Sequence, residues 1–198
     1  MSPRTKSQNE KIRIETSKVI LGASLKLFSE KGFDQTSVED IATSAKISKG
    51  LVYHYFTSKD QILYTLMKSS FDEMMNMEFV IPENAPPSEL LNAWISQAFE
   101  QIQSQPVFLR LLFSILFQSS IQKKTSTIVK QFKKAAVDQL EQLFIRLGSS
   151  SPRTDSLILG CLLDGIGLGY VLDLGNMPMK DLEQRIHEIF RVIQKEAI

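Results

Sequence analysis

A single cysteine, Cys161, leaves no disulfide within the chain. Two histidines, His54 and His187, lie far from it and from each other in sequence. No Cys–His nucleophile pair, metal-ligand spacing or glycine-rich phosphate loop can be drawn from so few residues. A protein that is not an enzyme and holds no metal or cofactor is expected. No run of about 18 uncharged apolar residues is found, so no membrane span is expected. The strongest candidate, 107–117, is short and holds Arg110. The polar, basic N-terminus lacks the apolar stretch of a signal peptide, which points to a cytoplasmic protein. Prolines and glycines are few, 7 and 9 in 198 residues, and most fall between apolar periodic stretches. No β-alternating run, internal repeat or low-complexity segment competes. The expected fold is all-α, with about nine helices and short connections. Cys161, inside an apolar helical run, reads as a small buried hydrophobe.

Hydrophobic residues at 43% and charged residues at 23% are ordinary for a globular chain. The net charge of +1 hides an asymmetry. Residues 1–68 hold 11 Lys and Arg against 7 Asp and Glu, and the remainder 12 against 15. A basic head on an acidic body suits a polyanion at one end only.

A first helix is expected from about Glu10 to Lys31, with Ile20, Ala23, Leu27 and Phe28 on one stripe and Gly32 at its C-terminal cap. Residues 1–9, with Arg4 and Lys6, read as a flexible arm, either solvated or touching DNA. Thr36-Ser37-Val38-Glu39 reads as a capping box with Thr36 as the cap. A short helix with Val38, Ile41, Ala42 and Ala45 inward follows, then Ser48 as the cap of another short helix. Ser58 and Gln61 start a fourth helix, expected over 59–79. Two short helices behind a longer one make a helix-turn-helix, whose second short helix must show a polar face to a major groove. Leu51, Val52 and Phe56 anchor that helix, leaving Lys49, Gly50, Tyr53 and His54 outward.

Residues 36–42, 45–56, Ser58-Lys59 and Leu63, with Leu27–Phe33 upstream, resemble the DNA-binding signature of the TetR family of bacterial transcriptional regulators. The resemblance covers about the first 65 residues. It implies a head over 1–65 and a ligand-sensing, dimerising body over 66–198. By matched position, Lys49 and Gly50 approach base edges, Tyr53 meets a thymine methyl or a phosphate, and His54 and Tyr55 bond phosphates. Lys59 holds phosphate at a helix start, and Thr36 and Ser48 are further phosphate candidates beside their capping roles. Lys46 stands where the family has glycine. If that position needs positive φ, lysine costs about 1 kcal/mol there, although it adds a charge near phosphate.

Body helices are expected over 87–104, 106–119, 121–147, 152–174 and 179–197. Lys123, Lys124, Lys130, Lys133 and Lys134 form a lysine face, either solvated or a second nucleic-acid site. Met74, Met75, Trp94, Phe99, Phe108, Phe113, Phe117 and Phe132 are plain core or the lining of a pocket for an apolar or aromatic ligand. Asp164 meets a cationic ligand or an arginine. Glycine costs roughly 1 kcal/mol inside a helix, which close approach of another helix offsets. Gly160, Asp164, Gly167 and Val171 on one helix, and Leu182, Ile186, Ile189, Phe190 and Ile193 on the next, are therefore the expected four-helix dimer interface. His187 is expected on the exposed side of the last helix. The resemblance thus implies a dimer on a near-palindromic operator in double-stranded DNA, released as a repressor by a small molecule. An activator, or a protein-binding module that no longer reads DNA, are the alternatives.

Overall fold

The computed structural model describes residues 6–75, 85–173 and 176–195. The all-α expectation holds: there are nine helices and no strand among the described residues. They are α1 (Lys6–Lys31), α2 (Val38–Ser44), α3 (Lys49–Tyr55), α4 (Lys59–Met75), α5 (Pro87–Ser104), α6 (Pro106–Phe117), α7 (Ser119–Arg146), α8 (Pro152–Asp173) and α9 (Met179–Lys195). Helix α1 begins at Lys6, so the last four residues of the expected flexible arm are helical. Nothing in Lys-Ser-Gln-Asn breaks a helix, and elongation from an established turn is easy. Residues 1–5 of that arm lie outside the described residues. So do the expected ends of α4 at Phe79, α8 at Leu174 and α9 at Ala197.

Pro87, Pro106 and Pro152 each occupy a first helical position, where a missing amide donor costs nothing. Helices α1 and α7 end on left-handed glycines, Gly32 at φ 85° and Gly148 at φ 78°.

The chain divides into two compact units. The first takes residues up to Ser70 together with Leu111–Ser126. Its buried residues include Ile20, Phe28, Phe33, Ile41, Val52, Phe56, Ile62, Leu63, Met67, Leu111 and Ile115. The second comprises Phe71–Arg110 and the chain from Thr127 onward. In it α5 packs on α8 and α9, with Leu91, Ile95, Phe99, Leu140, Phe144, Leu159, Ile186 and Phe190 buried. Helices α4, α6 and α7 each run from one unit into the other.

Helix α8 bears on two expectations and corrects one, the burial of Cys161. By length and composition alone it is long and apolar enough to cross a membrane, despite Asp164 in its middle. One row, Ser156, Leu159, Leu163 and Gly167, is buried in the second unit. A second row, Leu157, Ile158, Cys161, Leu162, Gly165 and Leu172, is exposed. Cys161 is thus exposed rather than buried, because it belongs to the outer row.

Candidate nucleic-acid interface

The geometry of the first unit's short helices is set by its turns. Ser37, not Thr36, caps α2: its hydroxyl accepts from the Asp40 amide at 3.1 Å, and Asp40 accepts from the Ser37 amide at 2.8 Å. The capping box is therefore one residue later than expected. Those Ser37 hydrogen bonds, with Lys31 nearby, hold the Asp40 carboxyl below its ordinary range. Thr36 lies inside, 1% exposed, and its hydroxyl donates to the Gly32 carbonyl at 2.8 Å. A group so placed is spent on the α1–α2 turn and does not face a phosphate.

Helix α2 closes through two crossed hydrogen bonds, Lys46 N–H to Thr43 O at 3.1 Å and Ile47 N–H to Ala42 O at 3.0 Å. That pairing requires a left-handed residue between them. Lys46 supplies it at φ 56°, the one non-glycine residue at positive φ among those described. The end of α7 repeats the pattern with glycine: Gly148 N–H to Ile145 O at 3.1 Å and Ser149 N–H to Phe144 O at 3.0 Å.

Ser48 then caps α3, accepting from the Leu51 amide at 3.2 Å. Val52 and Phe56, at 0% and 5% exposure, bind α3 to the unit's core. Leu51, expected as a third anchor, is 37% exposed and sits on the outer face. Lys49, Gly50, Tyr53 and His54 share that exposed side, while Tyr55 is half-buried and meets the His54 ring edge-on at 5.5 Å. Apart from its own helix, no described residue comes within 4 Å of a Cβ built on Gly50. The Lys49 ammonium lies 3.1 Å from Glu39, whose hydrogen bond and charge hold the lysine above its ordinary value.

Lys59 departs from expectation. Its ammonium donates to the carbonyls of Phe33 at 2.6 Å and Thr36 at 2.7 Å, and lies 4.3 Å from the Phe33 ring centroid. Partial burial in this place lowers its pKa. Its donors close the α1–α2 turn instead of pointing outward. No sequence signal pairs residues so far apart in the chain.

In the second unit, Phe71 stacks on Phe132 with centroids 4.1 Å apart and meets Phe108 edge-on at 5.8 Å. Phe99 and Phe108 are buried, and Met74, Met75 and Trp94 are half-buried. Phe71, the ring that joins two of these, was not among the expected pocket residues. Phe113 and Phe117 fall in the first unit, and Phe117 is 78% exposed at the end of α6. Asp164 is exposed and pairs with Lys133, not with an arginine. Lys134 pairs with Asp138 and Lys124 with Asp60, so the α7 lysine face is largely neutralised by acids of the same chain.

The expected dimer residues divide. Gly167, Ile186 and Phe190 are buried in the second unit's own core, and Phe190 packs on Phe144 at 5.6 Å. Ile189 is exposed, Gly160, Val171 and Leu182 are half-buried, and the Ile193 side chain lies outside the described residues. A Cβ built on Gly160 or Gly165 meets nothing within 4 Å, so no other helix among the described residues approaches there. His187 is not on the outer side of α9. It faces α5, with Nδ1 3.0 Å from Asn92 Oδ1 and Nε2 3.3 Å from the Ser96 hydroxyl, which itself donates to Glu183. These residues, with Lys180 and Arg191, line a polar cleft of about 590 Å³ that apolar patterning does not announce.

The capped short helices and the exposed α3 face define a helix-turn-helix protein. Residues 20–65 match the family described as bacterial regulatory proteins, tetR family. The HTH-type transcriptional regulator YerO of Bacillus subtilis is 30% identical over 164 residues, 80% of this chain and 50% of that relative. The chain spans about half the length, or less, of the curated relatives it matches first. The crystal structure of a transcriptional regulator from Rhodococcus sp. Rha1 superposes with a TM-score of 0.78 at 19% identity, over 91% of this chain and 97% of that one. AibR in complex with isovaleryl coenzyme A and operator DNA superposes with a TM-score of 0.67 at 18% identity, over 88% and 97%. At such identities the solved structures establish the fold. The head of the chain, residues 20–65, is that of the TetR family, and the chain as a whole shares the fold of such regulators.

Proposed function

We propose that this protein is a cytoplasmic transcriptional repressor that binds a near-palindromic operator as a homodimer and leaves it when a small apolar or aromatic molecule binds the body. The observation that carries this reading is the outer face of α3. Lys49, Gly50, Tyr53 and His54 are exposed there while Val52 and Phe56 do the packing. Glycine near a helix start weakens it, and no described residue needs the space that Gly50 leaves. A partner lying against α3 does need it. A lysine, a phenol and an imidazole beside that space suit base edges and phosphate oxygens in a major groove. Repression rather than activation rests on family likeness, as does the ligand site. AibR, solved with an acyl coenzyme A and operator DNA, is a neighbour of this fold that holds both kinds of partner.

The exposed row of α8 supports the dimer. Leu157, Ile158, Leu162 and Leu172 are between 37% and 75% exposed in the single chain. Such a row costs solubility unless it is covered, and a second copy covers it symmetrically.

Binding of the purified protein to DNA upstream of its own gene, against scrambled duplex of equal length, tests the proposal. Preference for the upstream DNA with two chains per site supports it. Equal weak binding to both duplexes argues for a head that meets a protein instead.

A further inference from the structure

We infer that Lys124, on α7, is a positioning residue for the DNA-reading head, acting through Asp60 and the ring of Phe33. The inference rests on the proposed DNA-binding role. Lys124 Nζ lies 2.7 Å from Asp60 Oδ1 in the first turn of α4. The same ammonium lies 5.6 Å from the Phe33 ring centroid, which Lys59 approaches at 4.3 Å. Phe33 is 3% exposed and packs on Phe28 at 5.1 Å. One buried ring in the α1–α2 turn is therefore flanked by two ammoniums, one from the start of α4 and one from α7.

The consequences run along the chain. The turn that Lys59 closes ends at Ser37, which caps α2, and α2 packs on α3. Whatever fixes Phe33 and the start of α4 thus fixes the platform of α3. The start of α7, up to Ser126, clusters with the head rather than with the remainder of that helix, as such a strut requires. Helix α7 then continues into the second unit, where it carries Phe132 of the aromatic cluster.

Lys124 and Asp60 are each half exposed, and an exposed ion pair contributes little stability. The effect sought is therefore one of placement, equivalent to about a three- to fivefold change in affinity. The test uses the full chain and a duplex recovered with it from a random-sequence pool, over a series of salt concentrations. Lys124→Gln and Asp60→Asn are each expected to weaken binding about three- to fivefold with the parental salt slope. The double variant should be no weaker than either single, and Lys124→Arg should bind as the parent does. Hydrogen exchange at the Thr36 amide, bonded to Phe33 O, should quicken in both single variants.

Asp60→Asn is the decisive arm, because loss of an acid near a polyanion otherwise tightens binding. Glu39→Gln, which frees Lys49, provides that contrast and is expected to bind more tightly. Tighter binding by Asp60→Asn would overturn the inference. So would a salt slope about one unit lower in Lys124→Gln, the mark of a lysine that touches phosphate. If the parent binds no duplex even at low salt, the DNA-binding role itself fails. The exchange arm then decides alone, and unchanged exchange in both single variants refutes the strut.

Discussion

Replacing Lys46 by glycine should stabilise the protein. Lys46 holds φ 56° because the crossed hydrogen bonds at the end of α2 require a left-handed residue there. A side chain in that conformation costs about 1–2 kcal/mol through crowding of Cβ against the carbonyl. Glycine avoids this but forfeits about 0.5–1 kcal/mol of unfolded-chain entropy. The net gain is about 0.5–1 kcal/mol, or about 1–4 °C in melting temperature for a chain of this size. Urea unfolding followed by circular dichroism should show a higher midpoint with an unchanged slope. The same bond pattern at the end of α7 uses Gly148 at φ 78°, so Gly148→Lys should lower stability by at least as much. A Lys46→Gly variant no more stable than the parent, or a neutral Gly148→Lys, would refute the strain argument.

Thr36→Val keeps the shape of a buried side chain but leaves the Gly32 carbonyl without its hydroxyl donor, so a loss of about 1–2 kcal/mol is expected by thermal unfolding. The folded fraction should bind DNA with unchanged affinity and salt slope, because the hydroxyl faces inward. Asp40, held below its ordinary value of 3.8 by Ser37, stabilises the fold above that pH and loses the contribution as pH falls through its folded-state value. The gap in unfolding midpoint between the parent and Asp40→Asn should thus be constant from about pH 7 to about pH 5 and close in stronger acid. Cys161, the single cysteine, should react slowly with a maleimide at concentrations where the protein sediments at about twice 22.4 kDa, and faster on dilution. Equal reactivity at both concentrations would place the dimer contact elsewhere.

Helix boundaries were legible because apolar periodicity, proline at first positions and glycine at ends are local signals. Pro87, Pro106, Pro152 and Gly32 each did what their chemistry dictates. Ser48 and Ser58 cap as read, since each accepts from an amide three residues on. Thr36 and Ser37 are adjacent hydroxyl residues, and either can start a box, since Glu39 and Asp40 stand at matching distances. Burial of Thr36 beneath the α1–α2 turn decided between them, and burial is not a local property. The place of Lys59 is illegible in the sequence for a related reason, because its partners are carbonyls 23 to 26 residues away, beyond any pattern. On α8 and α9 the apolar rows were visible but not their division between the chain's own core and an outer face. Phe190 went inside and Leu157, Ile158 and Cys161 outside, which depends on how α5 packs against both helices. The exposed face of α3 is legible in the sequence apart from Leu51, because a helix of seven residues anchored by Val52 and Phe56 leaves little choice for the others.

The central claim is that this face reads DNA, and salt-dependent binding of the parent and Lys49→Ala to the upstream duplex and to scrambled duplex tests it most directly. The parent should prefer the upstream duplex. Lys49→Ala should lose most of that preference, about 1–3 kcal/mol of discrimination if the lysine meets a base edge. A parent that binds both duplexes equally, with Lys49→Ala indistinguishable from it at every salt concentration, would contradict the account.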